Sequence, residues 1–162
     1  MINSTYVANS ILRKYIENNI DITPLRLHCL IYLLYSNYLY HEGVLFNESF
    51  ILDNGIPKLP NLSYKFDCYQ NKAIKSYAVN SIEEVLFVKE EDNIFNYCLN
   101  DLINKYWNYC DIDLLNYIKS ECNLINSYKD SDVINVSDIL EDEIKRNEKI
   151  LVKAKKFKED IK

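Results

Sequence analysis

The chain has 162 residues, 48% hydrophobic and 27% charged, with a formal net charge of −5, the length and balance of one globular domain that closes its own core. Two Gly and three Pro are too few for an all-β fold with many tight turns, so the composition favours helices. No stretch reaches the ~18 consecutive apolar residues of a membrane span, and Met1-Ile2-Asn3-Ser4 lacks the basic start of a signal peptide, so a cytoplasmic chain with no membrane partner is expected.

Taken in chain order, Ser4 is placed to cap a first helix over Thr5 to Asn18, with Val7, Ile11, Leu12, Tyr15 and Ile16 on one face. Asn18-Asn19-Ile20-Asp21 is a short polar connection between antiparallel neighbours. Thr23 caps the next helix and Pro24 opens it, where a missing N–H costs nothing. This helix runs to about His41 before Gly43. Leu27, Leu30, Ile31 and Leu34 keep helical spacing, and Leu25, Cys29, Tyr32, Leu33 and Tyr35 widen the apolar surface until little of it is polar. It reads as the central, buried helix.

From Val44 to Leu52 two apolar runs flank Asn47-Glu48-Ser49, which predicts a short β-hairpin near residues 44–52 or an extended excursion. Asp53-Asn54-Gly55-Ile56-Pro57 is the strongest turn cluster, and Pro60 opens a short helix through Phe66. Residues 67–79 read as a loop with one helical turn, and Ser81-Ile82-Glu83-Glu84 fits a capping box before Val85. A third strong helix is expected over Glu90 to Tyr109, its acidic start suiting the helix dipole. Asp111 then caps a helix with Leu114, Leu115 and Ile118 inward, ending near Cys122. Ser137 caps a long terminal helix through Ile161, whose stripe of Ile144, Leu151, Ala154, Phe157 and Ile161 is compatible with docking on the body, pairing with a partner helix, or protruding. The fold class is therefore mainly α, one compact multi-helix domain over residues 1–136, with residues 137–162 a basic amphipathic helix within it or docked on it.

Residues 145–162 hold eight Lys or Arg and three Asp or Glu, a net +5, which leaves −10 for residues 1–144. The acidic body repels phosphate backbones, which argues against nucleic acid, and steers a basic protein partner. Cys29, Cys68, Cys98, Cys110 and Cys122 form no Cys-x-x-Cys pair and read as reduced thiols. His28 and His41 lie 13 residues apart, well over three helical turns, too far to share a metal. A nucleophilic Cys29–His41 pair is weighed and set aside in favour of a buried thiol and a half-exposed imidazole. The clusters Glu83-Glu84, Glu90-Glu91-Asp92 and Glu141-Asp142-Glu143 read as helix starts or solvated faces rather than a cation site. No catalytic, cofactor or metal-binding residue is assigned, and the chain reads as a non-enzyme. Fourteen Tyr, with Tyr32, Tyr35, Tyr38 and Tyr40 along the second helix, suit either protein recognition or core filling.

Val7-Ala8-Asn9-Ser10-Ile11-Leu12, followed by Ile22-Thr23-Pro24-Leu25-Arg26-Leu27-His28-Cys29-Leu30-Ile31-Tyr32, resembles the N-terminal signature of the Panacea antitoxin domain family, also described as SocA-like or phage-associated. Leu45-Phe46-Asn47-Glu48, then Gly55 with Pro60-Asn61-Leu62-Ser63-Tyr64-Lys65-Phe66, resembles its later segments, and the likeness spans roughly residues 5–145. The chain departs from the family pattern at Leu52-Asp53-Asn54-Gly55-Ile56, where the family has Trp-x-x-Gly-Pro, and at Tyr117-Ile118-Lys119-Ser120, where it has Thr-His-x-x-x-Pro-Trp.

The resemblance implies a divergent, non-enzymatic antitoxin that neutralises a cognate toxin by direct binding or delivers it to a protease. The alternative is an inhibitor, encoded by a phage or mobile element, of a host defence protein such as a CRISPR component. The partner is a protein in either case, and a homo-dimer is left open. The expected contact surface combines the divergent turn with exposed tyrosines and acids: Tyr38, Tyr40, Glu48, Asp53, Asn54, Lys58 and Tyr64.

Overall fold

A computed structural model describes residues 1–161. Its helices are α1 (Ser4–Ile16), α2 (Pro24–His41), α3 (Pro60–Phe66), α4 (Asn93–Tyr106), α5 (Asp111–Glu121) and α6 (Val136–Asp160), with strands β1 (Ile51–Asp53) and β2 (Ile56–Lys58) between α2 and α3. The fold is mainly α with one short hairpin, and its buried apolar residues form a single cluster from Val7 to Ile139.

Helix α2 is the axis of that cluster. Thr23 Oγ1 accepts from the Arg26 N–H at 3.3 Å and Pro24 occupies the first turn, as the sequence indicates. Because every residue from Leu27 to Ser36 is buried, α2 packs on α1, β2, α4, α5 and α6 at once. Phe46 and Phe50 cross it and set their rings 4.8 and 5.2 Å from that of Tyr35.

The hairpin begins inside residues 44–52, at Ile51, and extends beyond them to Lys58. Val44 to Phe50 is not a strand; Leu45, Phe46 and Phe50 are buried as anchors against α2. The paired residues are Ile51 with Lys58, Leu52 with Pro57 and Asp53 with Ile56, closed by Asn54 (φ +50°) and Gly55 (φ +78°). Two successive positive φ values match the twist of a two-residue hairpin, and Asn-Gly is the pair that tolerates them, so the turn chemistry at 54–55 overrides the apolar pattern at 44–52. Residues 131–134 run along the outer edge of β1, with hydrogen bonds from the Ser131 N–H to Leu52 O and the Ile134 N–H to Phe50 O.

Several helix starts shift for identifiable reasons. Asn3, not Ser4, caps α1 by accepting from the Thr5 N–H at 2.8 Å, while the Ser4 hydroxyl donates to Glu48 Oε1 at 2.5 Å. No helix follows Ser81: Asn80 Oδ1 accepts from the N–H groups of Ile82 and Glu84, and Glu83 takes φ +60°, so a side-chain turn competes out the capping box. Asp92 caps α4, which leaves Glu90 and Glu91 outside the helix. Asp111 is the first residue of α5 rather than its cap, because its carboxylate is engaged by Arg26 and Thr23. The terminal helix begins at Val136 after Asn135, not at Ser137.

Only Ile139 and Glu143 of α6 are buried, and every residue from Glu148 to Ile161 is exposed. The distal half of this helix does not dock on the body and protrudes from it. No described helix is long and apolar enough to cross a membrane.

Candidate binding surface

The hairpin turn is held on the body by a chain of charges. His28, on α2, is 1% exposed, and its Nε2 lies 2.8 Å from Asp67 Oδ1. Lys58 Nζ donates to Asp67 Oδ2 at 3.2 Å and pairs with Asp53 Oδ2 at 3.0 Å, which ties both hairpin strands to the residue following α3. Burial holds His28 below the usual imidazole range despite Asp67, so the ring is neutral at pH 7 and its Nε2–H donates to the carboxylate. Burial works to raise Asp67, but the hydrogen bonds and charges of His28 and Lys58 outweigh it and hold the carboxyl below its ordinary value. Burial likewise opposes the Lys58 charge, and Asp53 and Asp67 overcome it, so the ammonium is held more firmly than in water.

Above this network sits the turn itself. The Asn54 amide donates to Asp53 Oδ1 at 3.2 Å, and a Cβ at Gly55 would lie 3.4 Å from Lys119 Cε of α5. The hairpin tip is therefore wedged between its own ion pairs and α5. Tyr64, on the helix that follows, is 89% exposed.

The seven residues expected to make one surface fall in separate places. Asp53, Asn54 and Lys58 share the hairpin, and Tyr64 lies on the adjoining α3. Glu48 is half-buried and engaged by Ser4 at the start of α1. Tyr38 and Tyr40 lie about 15–18 Å further along α2 than His28. Tyr38 is half-buried, its hydroxyl pKa raised by burial and by the nearby Asp92 and Glu42, and Tyr40 is 40% exposed with its ring edge on His41. Sequence reasoning missed His28 and Asp67 as organisers of the turn. The available signal was a histidine within an otherwise apolar helix, a position that requires a polar partner.

A second buried polar junction lies at the start of α2. Arg26, 7% exposed, places Nε 2.8 Å from Asp111 Oδ1 and also donates to the Tyr109 carbonyl; Thr23 Oγ1 donates to Asp111 Oδ2 at 2.6 Å. Burial disfavours the guanidinium charge, but Asp111 and Tyr15 more than compensate, so the pKa of Arg26 is raised. Cys29 is buried and its thiol pushed up to about 12 by desolvation, while His41 is exposed at the far end of the same helix, so the two do not meet.

Two clefts flank α6. One of about 790 Å³ runs between the end of α5 and α6, where Glu121 and Leu124 face Lys149, Val152, Lys153 and Lys156. One of about 260 Å³ lies where α6 leaves the body, between His41, Asp101 and Ile150. Among the described residues, no three His, Cys, Asp or Glu converge as metal ligands.

No protein-family model, no curated protein and no solved structure matches this chain.

Proposed function

We propose that the chain is a protein-binding protein of the antitoxin type, which neutralises a toxin by direct contact or hands it to a protease through the surface formed by the hairpin tip and α3. The observation that carries this reading is the ion-paired mounting of an exposed turn. A neutral buried histidine, an aspartate and a lysine fix the Asp53–Lys58 hairpin, and the turn and Tyr64 are left facing solvent. A pre-ordered loop loses little entropy on binding, and an exposed tyrosine brings large contact area with few rotamers to freeze. The net −10 of residues 1–144 adds long-range attraction for a basic partner. The likeness of the first two helices to the Panacea signature supports the same reading, and the hairpin is where this chain departs from that family's pattern, as a surface selecting its own partner would.

The test is a tagged pull-down from the native host or from phage-infected cells, with mass spectrometry of what co-purifies, run beside Asp53→Lys and Tyr64→Ala. A small toxic protein captured by the wild type and lost from both variants supports the antitoxin reading. A nuclease or other defence complex captured instead assigns the chain as an inhibitor of host defence. Capture unchanged by both substitutions removes the hairpin from the interface.

A further inference from the structure

Every residue of the distal part of α6, from Glu148 to Ile161, is exposed, and the cleft toward Glu121 and Leu124 lies open beside its first turns. From Val136 to Ile161 one line of positions advances by alternating steps of four and three residues, passing through Leu140, Glu143, Asn147, Ile150, Ala154, Phe157 and Ile161. Its first half meets the body: Glu143 is buried, and Asn147 and Ile150 line the cleft against His41 and Asp101. Its second half continues beyond that cleft, with Phe157 67% and Ile161 68% exposed. Alternating three and four is the spacing of a coiled-coil seam, which is narrower than the apolar face a helix presents to lipid. A solvated segment this short, with Lys149, Lys153, Lys155, Lys156 and Lys158 repelling one another, is marginal as an isolated helix and gains order from a partner.

Charge identifies the partner. Residues 145–162 carry +5 and residues 1–144 carry −10, and acid gathers where the arm departs. Asp101 lines the same cleft as Ile150, Glu42 follows the end of α2, and Asp92 begins α4, with Tyr38 near both it and Glu42; of the cleft's cations, Arg146 is already held by Asp142 and Glu143, and Lys105 lies over the Tyr106 and Tyr117 rings. The arm leads away from this rim and cannot fold back on it while the helix is continuous. A second copy placed by a two-fold axis solves both problems, because antiparallel arms bring each lysine-rich end to the other copy's acidic rim. Stable interfaces bury about 1,200–2,000 Å² in total, and a two-fold arrangement makes each contact of arm with rim twice.

We infer that the protein is a two-fold dimer in which residues 148–161 of two copies pack antiparallel, Ile150, Ala154, Phe157 and Ile161 forming the seam and the arm lysines of each copy lying against Glu42, Asp92 and Asp101 of the other. An anionic membrane is the competing occupant, and it is disfavoured by the acidic body at the root of the arm.

Sedimentation equilibrium of the full chain at about 0.05 and 0.5 M salt tests this, beside Phe157→Glu and a chain ending at Asn147. The expected result is a wild-type mass of twice 19.2 kDa at low salt, partial dissociation at high salt, and a single-chain mass for both variants. Circular dichroism serves as the folding control, since Phe157 and all of residues 148–161 are exposed. A wild type of single-chain mass at low salt overturns the inference, as does a dimer that survives Phe157→Glu and the truncation. Flotation of a monomeric wild type with vesicles containing one quarter anionic lipid also overturns it, and gives the arm to the membrane instead.

Discussion

Asn9 and Ala78 exchange a reciprocal pair of hydrogen bonds. The Asn9 amide donates to the Ala78 carbonyl at 2.9 Å and its Oδ1 accepts from the Ala78 N–H at 2.9 Å, while Nδ2 also donates to Leu86 O at 3.0 Å. One fully buried side chain on α1 thus does for the 70–92 segment what a neighbouring strand would do, and Ser10 Oγ continues the ladder by accepting from the Val88 N–H at 3.0 Å. Asn9→Ala orphans buried backbone groups and is expected to cost about 2–4 kcal/mol. Limited proteolysis checks the mechanism: cleavage within 76–88 should accelerate well before the helices open. Asn9→Asp should fare no better, because its carboxylate would face two carbonyls.

Arg26 and Asp111 join the starts of α2 and α5 across 85 residues of sequence. Arg26→Met is expected to destabilise by about 2–3 kcal/mol, below the 3–5 typical when a buried pair is broken, because the Asp111 side chain is 32% exposed and regains water. Asp111→Asn keeps a hydrogen-bond acceptor for Arg26 and should cost less. Urea titration of both variants gives the comparison directly.

Stability should fall on mild acidification. The folded-state pKa of His28 is depressed, so the unfolded chain binds the proton first, at about pH 6.5, and stability present above that pH is lost as pH falls toward the folded value. Asp67, also depressed, adds a loss of the same sign below the ordinary carboxyl range. His28→Gln keeps a donor toward Asp67 and should flatten the dependence between pH 7 and 5. Melting temperatures of the two proteins across that range decide it.

Binding and stability should separate at Tyr64. At 89% exposure, Tyr64→Ala is expected to change folding stability by less than about 0.5 kcal/mol while reducing partner capture. Gly55→Ala should do the reverse in part: φ +78° beside Lys119 imposes strain of about 1–2 kcal/mol, and any effect on binding follows from the displaced tip.

Thiol chemistry reports on burial. Cys68 and Cys110 are exposed, whereas Cys29, Cys98 and Cys122 are buried, and Cys29 and Cys122 are pushed up to about 12 by desolvation. Two of the five thiols should react quickly with a maleimide in the native state, and all five in denaturant.

The parts of the fold legible in the sequence were those encoded within a few residues: the Thr23-Pro24 start of α2, the apolar stripe of α4 from Phe95 to Tyr106, and the Asn54-Gly55 turn. Where two local signals competed, pattern alone misplaced the element. The 44–52 run keeps strand character only at Ile51 and Leu52, where the Asn54-Gly55 turn sets the pairing, and the Ser81 capping box yielded to Asn80. The polar junctions could not be read at all. His28 finds Asp67 39 residues away and Arg26 finds Asp111 85 away, and no local period encodes such a meeting. The same limit hid the scatter of the expected contact residues, which a sequence presents as one neighbourhood and the fold divides between the hairpin and the far end of α2.

Helix α2 is complete once His41 has been synthesised, yet most of what covers it comes later: β2, α4, α5 and the first turns of α6 all follow it in the chain. On the ribosome, a segment apolar on almost every side must therefore wait for about a hundred further residues, some 5–20 s at ordinary elongation rates, before its cover exists. Chaperone capture of nascent chains, and refolding yields that fall as concentration rises, are the signatures to expect of a molecule whose axis is made before its walls.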